Sequence, residues 1–142
     1  MRRRNSLKVV IDTNIWISFL IGKKLSGLQS LLSSGKVELV LCKELIEEVH
    51  LVTQRPKLAK YFPQADVEQL LSFMEIIGRL YVPCKMESVC RDPKDDYLLA
   101  LAKEAKADYL LTGDNDLLVL EHIGKTKIIT VSFFTEILSR LK

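Results

Sequence analysis

Lys8 to Ile17 reads KVVIDTNIWI, an apolar run that stops at three consecutive polar residues, Asp12, Thr13 and Asn14. A short β-branched run such as Val9-Val10-Ile11 is the pattern of a central parallel strand covered on both faces. Ligand crevices in parallel α/β sheets lie at the carboxyl ends of such strands, which places Asp12 at a prospective site. A simpler role competes. Aspartate is among the best helix N-caps, and helical sequence begins directly after it. Taken alone the two readings stand level. Thr13 and Asn14 either orient that carboxylate or only form the turn.

The rest of the chain alternates strand with helix. Ile15 to Ile21 reads as a buried helix and Leu25 to Ser34 as a second, closed by Gly35. Val37 to Leu41 is the next strand, and the helix from Lys43 to Arg55 must stop before Pro56. Pro63 opens a helix over Gln64 to Gly78, followed by a short strand from Leu80 to Pro83 and a polar segment from Lys85 to Lys94. An apolar helix runs from Asp95 through Ala105, and Tyr109 to Leu111 forms another strand. Asp116 to Leu120 makes one helical turn, Lys127 to Val131 a fifth strand, and Ser132 caps a final helix to Leu141. This alternation predicts a three-layer α/β/α fold around a central, mainly parallel five-stranded sheet. With 142 residues, 48% of them hydrophobic, and no repeat or linker, one domain over residues 1–142 is expected.

Net charge is +3, from 21 basic and 18 acidic residues, and says little by itself. Its arrangement says more. Basic residues gather at Arg2, Arg3 and Arg4 and in loops around Lys23, Lys85 and Lys125, whereas several acids directly follow apolar runs. That pattern suits either an acidic hollow with a basic surround for a polyanion or an ordinary solvated surface. Cys42, Cys84 and Cys90 form no zinc pattern, and their odd number without a secretory leader points to a reducing cytoplasm. No apolar run approaches bilayer length, so a cytoplasmic protein without membrane partners is expected.

Acids gather at four places, Asp12 being the first. In the helix from Lys43, the residues Leu45, Val49 and Val52 make one apolar stripe. At 100° per residue Glu48 lies about 60° from Leu45, on the margin of that stripe, while Glu47 points nearly opposite. Glu48 is therefore the half-buried acid, although on an arbitrary helix three such glutamates more often form a solvated face. The third place is Asp92-Pro93-Lys94-Asp95-Asp96, directly before Tyr97-Leu98-Leu99-Ala100. Asp95 is the natural cap and Asp96 falls in the first turn, where the helix dipole favours an anion. Asp92 exceeds what capping requires. The fourth is Thr112-Gly113-Asp114-Asn115-Asp116, which as an isolated stretch is an ordinary turn and lacks the later residues of a calcium loop.

Each signal is weak alone. In a parallel sheet, however, acids that follow successive strands converge at one edge. Two carboxylates about 4 Å apart repel by roughly 4 kcal/mol at an effective dielectric near 20, so a cluster requires protons or cations. Mg2+ or Mn2+, hard ions with oxygen ligands, fit best, and such a cage is suited to phosphodiester hydrolysis.

The stretches VVIDTN, CKELIEEV, DPKDDYLLALA and LLTGDND, in this order and spacing, resemble the PIN-domain ribonucleases over about Lys8 to Leu138. The DPKDDYLLALA form and the Arg55-Pro56 helix end are most similar to the branch identified with toxins of toxin–antitoxin pairs. The resemblance implies that Asp12, Glu48, Asp96 and Asp114 form the acidic, metal-binding core. Asn14, Thr112 and Asp116 support it, Asp116 also counting among the metal ligands, and Thr13, Asp92 and Asp95 stand beside it. It further implies Mg2+- or Mn2+-dependent RNA cleavage, an antitoxin protein as partner, and the homodimer common among relatives.

Two other classes compete. A phosphotransferase of the haloacid dehalogenase type also places Asp after the first strand, but has a second Asp two residues on, where this chain has Asn14. A non-catalytic nucleic-acid- or partner-binding module would use the same acids as caps and turns.

Overall fold

The computed structural model describes residues 6–22, 35–57, 59–82 and 96–140, and for residues 20–22 and 96 the backbone alone. The elements in order are β1 (Leu7–Ile11), α1 (Thr13–Gly22), β2 (Val37–Leu41), α2 (Lys43–Thr53), a 3₁₀ turn (Ala59–Tyr61), α3 (Gln64–Ile77), β3 (Arg79–Leu80), α4 (Asp96–Ala105), β4 (Tyr109–Leu111), α5 (Asn115–Leu118), β5 (His122–Ile123), β6 (Thr126–Ile129) and α6 (Val131–Ser139). They form a three-layer α/β fold. Val9, Val10 and Ile11 are buried, as are Leu39, Val40 and Leu41, which is why these runs carry no polar alternation.

The sheet has six strands in the order β3-β2-β1-β4-β6-β5, parallel except for the β5–β6 pair. Five strands were expected. The sixth is the two-residue β5, which folds back on β6 through a turn at Gly124, where φ is 56° in the left-handed region that glycine adopts freely.

Connections run from β1 to β2 and β3 on one side, then return to β4 and β6 on the other. The gap between β1 and β4 is thus the point where strand order reverses, the usual place for a ligand in an open α/β sheet. Register makes the edge level. Ile11 pairs with Leu111, Leu111 with Ile129, and Val10 with Val40. Asp12, Cys42, Thr112 and Thr130 therefore begin one row at the carboxyl edge.

Helices α1, α2 and α3 pack together, while α4 lies across β1 and β2. Phe134 of α6 stacks on Tyr109 of β4 at 5.6 Å between ring centroids. In α2 the stripe Leu45, Val49 and Val52 is buried, Glu48 is half-buried, and Glu44 and Glu47 are exposed, as helical phase requires. After α3 the chain turns at Gly78, where a Cβ would lie 2.7 Å from the Met74 carbonyl oxygen and 2.2 Å from Leu41 Cδ1.

Element ends shift by a few residues, and α2 stops at Thr53, not Arg55. The last helix is capped by Thr130, not Ser132: the Thr130 hydroxyl accepts from the Phe133 N–H at 3.2 Å, so β6 ends at Ile129 and the helix begins at Val131. The expected helix over Leu25 to Ser34 and the polar segment from Lys85 to Lys94 lie outside the described residues, although Gly35, its expected cap, has φ 83°.

Candidate active site

Asp12 follows β1 directly. Its N–H donates to the Leu111 carbonyl at 3.0 Å, extending the β1–β4 ladder, and its own carbonyl accepts from Ile15 and Trp16, starting α1. The side chain keeps only 4% of its exposure. Oδ2 accepts the Thr112 hydroxyl at 2.7 Å, and Oδ1 accepts the Asn14 N–H at 3.4 Å. The short bond thus runs across the sheet and the long one to the helix start. Capping alone does not account for Asp12.

Burial pushes the Asp12 carboxyl above the ordinary value of 3.8 against the lowering effect of those two bonds, and the charges of Glu48 and Asp114 act in the same direction as burial. Glu48 of α2 and Asp114 of the loop after β4 therefore both act on Asp12 at the reversal point of the sheet.

Thr112 joins three strands of chain. Fully buried, it donates its N–H to Ile129 of β6, gives its hydroxyl proton to Asp12, and accepts the Asp114 N–H on the same oxygen at 3.0 Å. Asp114 in turn caps α5, its Oδ1 accepting from the Asp116 N–H at 2.9 Å. The turn reading and the site reading of Asp114 are both realised in one residue. Asp116 is half-buried in the first turn of α5.

Glu48 is held from two other helices. The buried Thr13 donates its hydroxyl to Glu48 Oε2 at 2.8 Å, and the Tyr97 hydroxyl, from the first turn of α4, donates to the same oxygen. Burial, followed by the bond to Glu48, drives the Tyr97 phenol well above its usual range, so it serves as a neutral donor. Tyr97 escaped the sequence reading. A tyrosine in the otherwise aliphatic run YLLALA was the available signal, because a half-buried phenol seeks a partner for its hydroxyl.

Asn14 is exposed, its carbonyl accepting the Ser18 hydroxyl at 2.9 Å. Asp96 opens α4, with its backbone alone described, and Asp92 and Asp95 lie outside the described residues.

The donor set of Asp12, Glu48 and Asp114 is oxygen throughout, backed by hydroxyls. Among the described residues the lysine and arginine pairs go elsewhere, to Glu47, Glu38 and Asp108. Oxygen donors of this kind fit a hard divalent ion. Among the described residues, no group of three or more His, Cys, Asp or Glu side chains stands close enough to hold an ion by itself. A cavity of about 760 Å³ opens elsewhere, between Tyr109, Leu118, Ile129, Phe133 and Ile137, and holds none of these acids. Among the described residues no helix is long and apolar enough to cross a membrane.

A family model described as "PIN domain" matches residues 8–116. An uncharacterized protein of Methanocaldococcus jannaschii, MJ1680, is 31% identical over 122 residues, covering 84% of this chain and 78% of its own. Among solved structures, PAE2754 from Pyrobaculum aerophilum shares the fold at a TM-score of 0.62 with 12% identity, covering 98% of this chain and 96% of that one. The PIN domain of T. brucei RRP44 aligns at a TM-score of 0.47 with 17% identity, covering 96% of this chain and 88% of that one.

Proposed function

The chain belongs to the PIN-domain family, a nuclease fold, and from that premise we propose that it is an endoribonuclease dependent on Mg2+ or Mn2+. Asp12, Glu48, Asp96 and Asp114 would hold the ion, with Asp116 at its margin. The observation that carries this reading is the bonding that draws Asp12, Glu48 and Asp114 toward one edge, Thr112 linking Asp12 to Asp114 and Thr13, next to Asp12, holding Glu48, with lysine and arginine partners engaged elsewhere among the described residues. When bound, the ion supplies activated water and charge to stabilise the leaving oxygen of a phosphodiester.

The chain's own groups do the rest. Burial keeps bulk water from Asp12, Thr112 fixes its rotation, and Thr13 and Tyr97 fix that of Glu48. On this reading Asn14, Asp92 and Asp95 would support the ion site from beside it. We assign the whole chain to one such domain, since β6 and α6 complete the sheet and its cover beyond the matched residues. The purified protein is expected to cleave RNA in Mn2+ or Mg2+. EDTA, Asp12→Asn or Asp96→Asn should each abolish cleavage with the fold retained, and cleavage without metal would overturn the mechanism.

The sequence stretch DPKDDYLLALA supports a narrower role, a cytoplasmic toxin neutralised by an antitoxin protein and acting as a homodimer. Expression should then arrest growth, and the product of a small adjacent gene should relieve it. Harmless expression of an active nuclease would remove the toxin role alone. One observation favours a non-catalytic binding module instead: Asp114 already serves as a helix cap. RNA binding without cleavage in millimolar Mn2+ would decide for that module.

A further inference from the structure

Glu48 Oε2 receives two hydroxyls, from Thr13 at 2.8 Å and from Tyr97, and the two hydroxyl oxygens lie 3.3 Å apart. The donors come from α1 and α4 and the acceptor from α2, so three helices meet at one carboxylate oxygen. Such an oxygen has two lone-pair directions in the carboxylate plane, and two donors fill both. Hydroxyls also orient without cancelling charge. A lysine or arginine in the same place would bind the carboxylate more firmly while neutralising the negative charge that a divalent ion requires.

We infer that Tyr97 is a positioning residue for Glu48: together with Thr13 it closes Oε2, so that Glu48 meets a cation through Oε1 alone. This rests on the metal reading above and deepens it. Loss of the phenol hydroxyl opens one side of Oε2 and lets the carboxylate rotate or bind through both oxygens. The damage falls on ion affinity rather than on folding, because phenylalanine fills the same space.

The test separates the clamp from the metal. Wild type, Tyr97→Phe, Thr13→Val and Thr13→Ser are prepared with ¹³C-carboxyl glutamate, the Glu48 resonance being assigned by its loss in Glu48→Gln. Without metal, Tyr97→Phe and Thr13→Val should move that resonance and Thr13→Ser should leave it near the wild-type position. An unmoved resonance in both overturns the clamp. Calorimetric titration with MnCl₂ should then show affinity weakened about 10- to 100-fold in Tyr97→Phe, the usual effect of removing a group that orients a ligand, with Thr13→Ser retaining wild-type affinity. A moved resonance with unchanged Mn2+ affinity overturns the role at the ion. Wild-type protein that takes up no Mn2+ overturns the metal reading of the preceding section and this role with it, while the metal-free resonances still decide the clamp.

Discussion

The Thr112 hydroxyl donates to Asp12 Oδ2 at 2.7 Å across one hundred residues of sequence, closing the gap between the ends of β1 and β4. Both groups are buried, and the Thr112 oxygen also accepts the Asp114 N–H.

Thr112→Val keeps the shape and strands both partners. Leaving a buried donor or acceptor unmade costs about 1–3 kcal/mol. The variant is expected to lose stability on that scale and, on the proposed reading, about 10- to 100-fold in RNA cleavage, as for other groups that orient a ligand. Thr112→Ser should recover most of both. Urea denaturation followed by fluorescence of Trp16, the only tryptophan and fully buried, measures the first. A valine variant as stable as wild type would show that the bond contributes nothing net.

Asp12→Asn should stabilise the metal-free protein at neutral pH. A carboxyl whose folded value lies above its ordinary 3.8 contributes stability that is fully present below that pH and is lost as pH rises through the folded value. The amide removes this loss, so the variant should resist more urea than wild type at pH 7, with the difference shrinking as pH falls toward 3.8. On the proposed reading, Mn2+ reverses the order. Saturating wild type at one hundred times Kd adds about 2.7 kcal/mol, whereas the variant gains little. Equal stability at pH 7 without metal would contradict the buried-charge account.

Cys42 is buried at the start of α2, and burial first of all pushes its thiol from 9.0 up to about 11. Only the thiolate is nucleophilic. The folded protein should therefore leave Cys42 unalkylated by iodoacetamide at pH 8 and expose it in urea, as read by peptide mass spectrometry. Because the folded value is the higher one, this thiol's contribution to stability is present below pH 9 and lost as pH rises toward 11. Cys42→Ala should flatten that slope, and rapid labelling of the native protein would contradict its burial.

Thr130→Ala removes the cap of α6 and should cost about 0.5–2 kcal/mol. Ser132→Ala, one residue inside the helix, should stay within about 0.5 kcal/mol. Equal losses in paired urea melts would mean that the Thr130 bond to Phe133 is not what starts this helix.

Much of the architecture was legible in local pattern. Val37 to Leu41 and Tyr109 to Leu111 form strands with the expected bounds because burial on both faces leaves an unbroken apolar signature. Glu48 was separable from Glu44 and Glu47 because helical phase alone decides which side of α2 faces the core. The β5–β6 hairpin was not, since two-residue β5 is too short to show any period. Thr130 outcompeted Ser132 as cap because β6 ended earlier than its apolar run suggested. The Thr112–Asp12 and Tyr97–Glu48 bonds depend on register and on helices meeting in space, and no spacing along the chain encodes them.

The level β1–β4 pairing has a consequence for the order in which this protein comes into being. Asp12 is made one hundred residues before Thr112, and before the Ile129 carbonyl that anchors Thr112. Local helices can form on the way, but contacts of such long sequence separation come last. A nascent or prematurely terminated chain thus carries its first carboxylate without the partners that orient it.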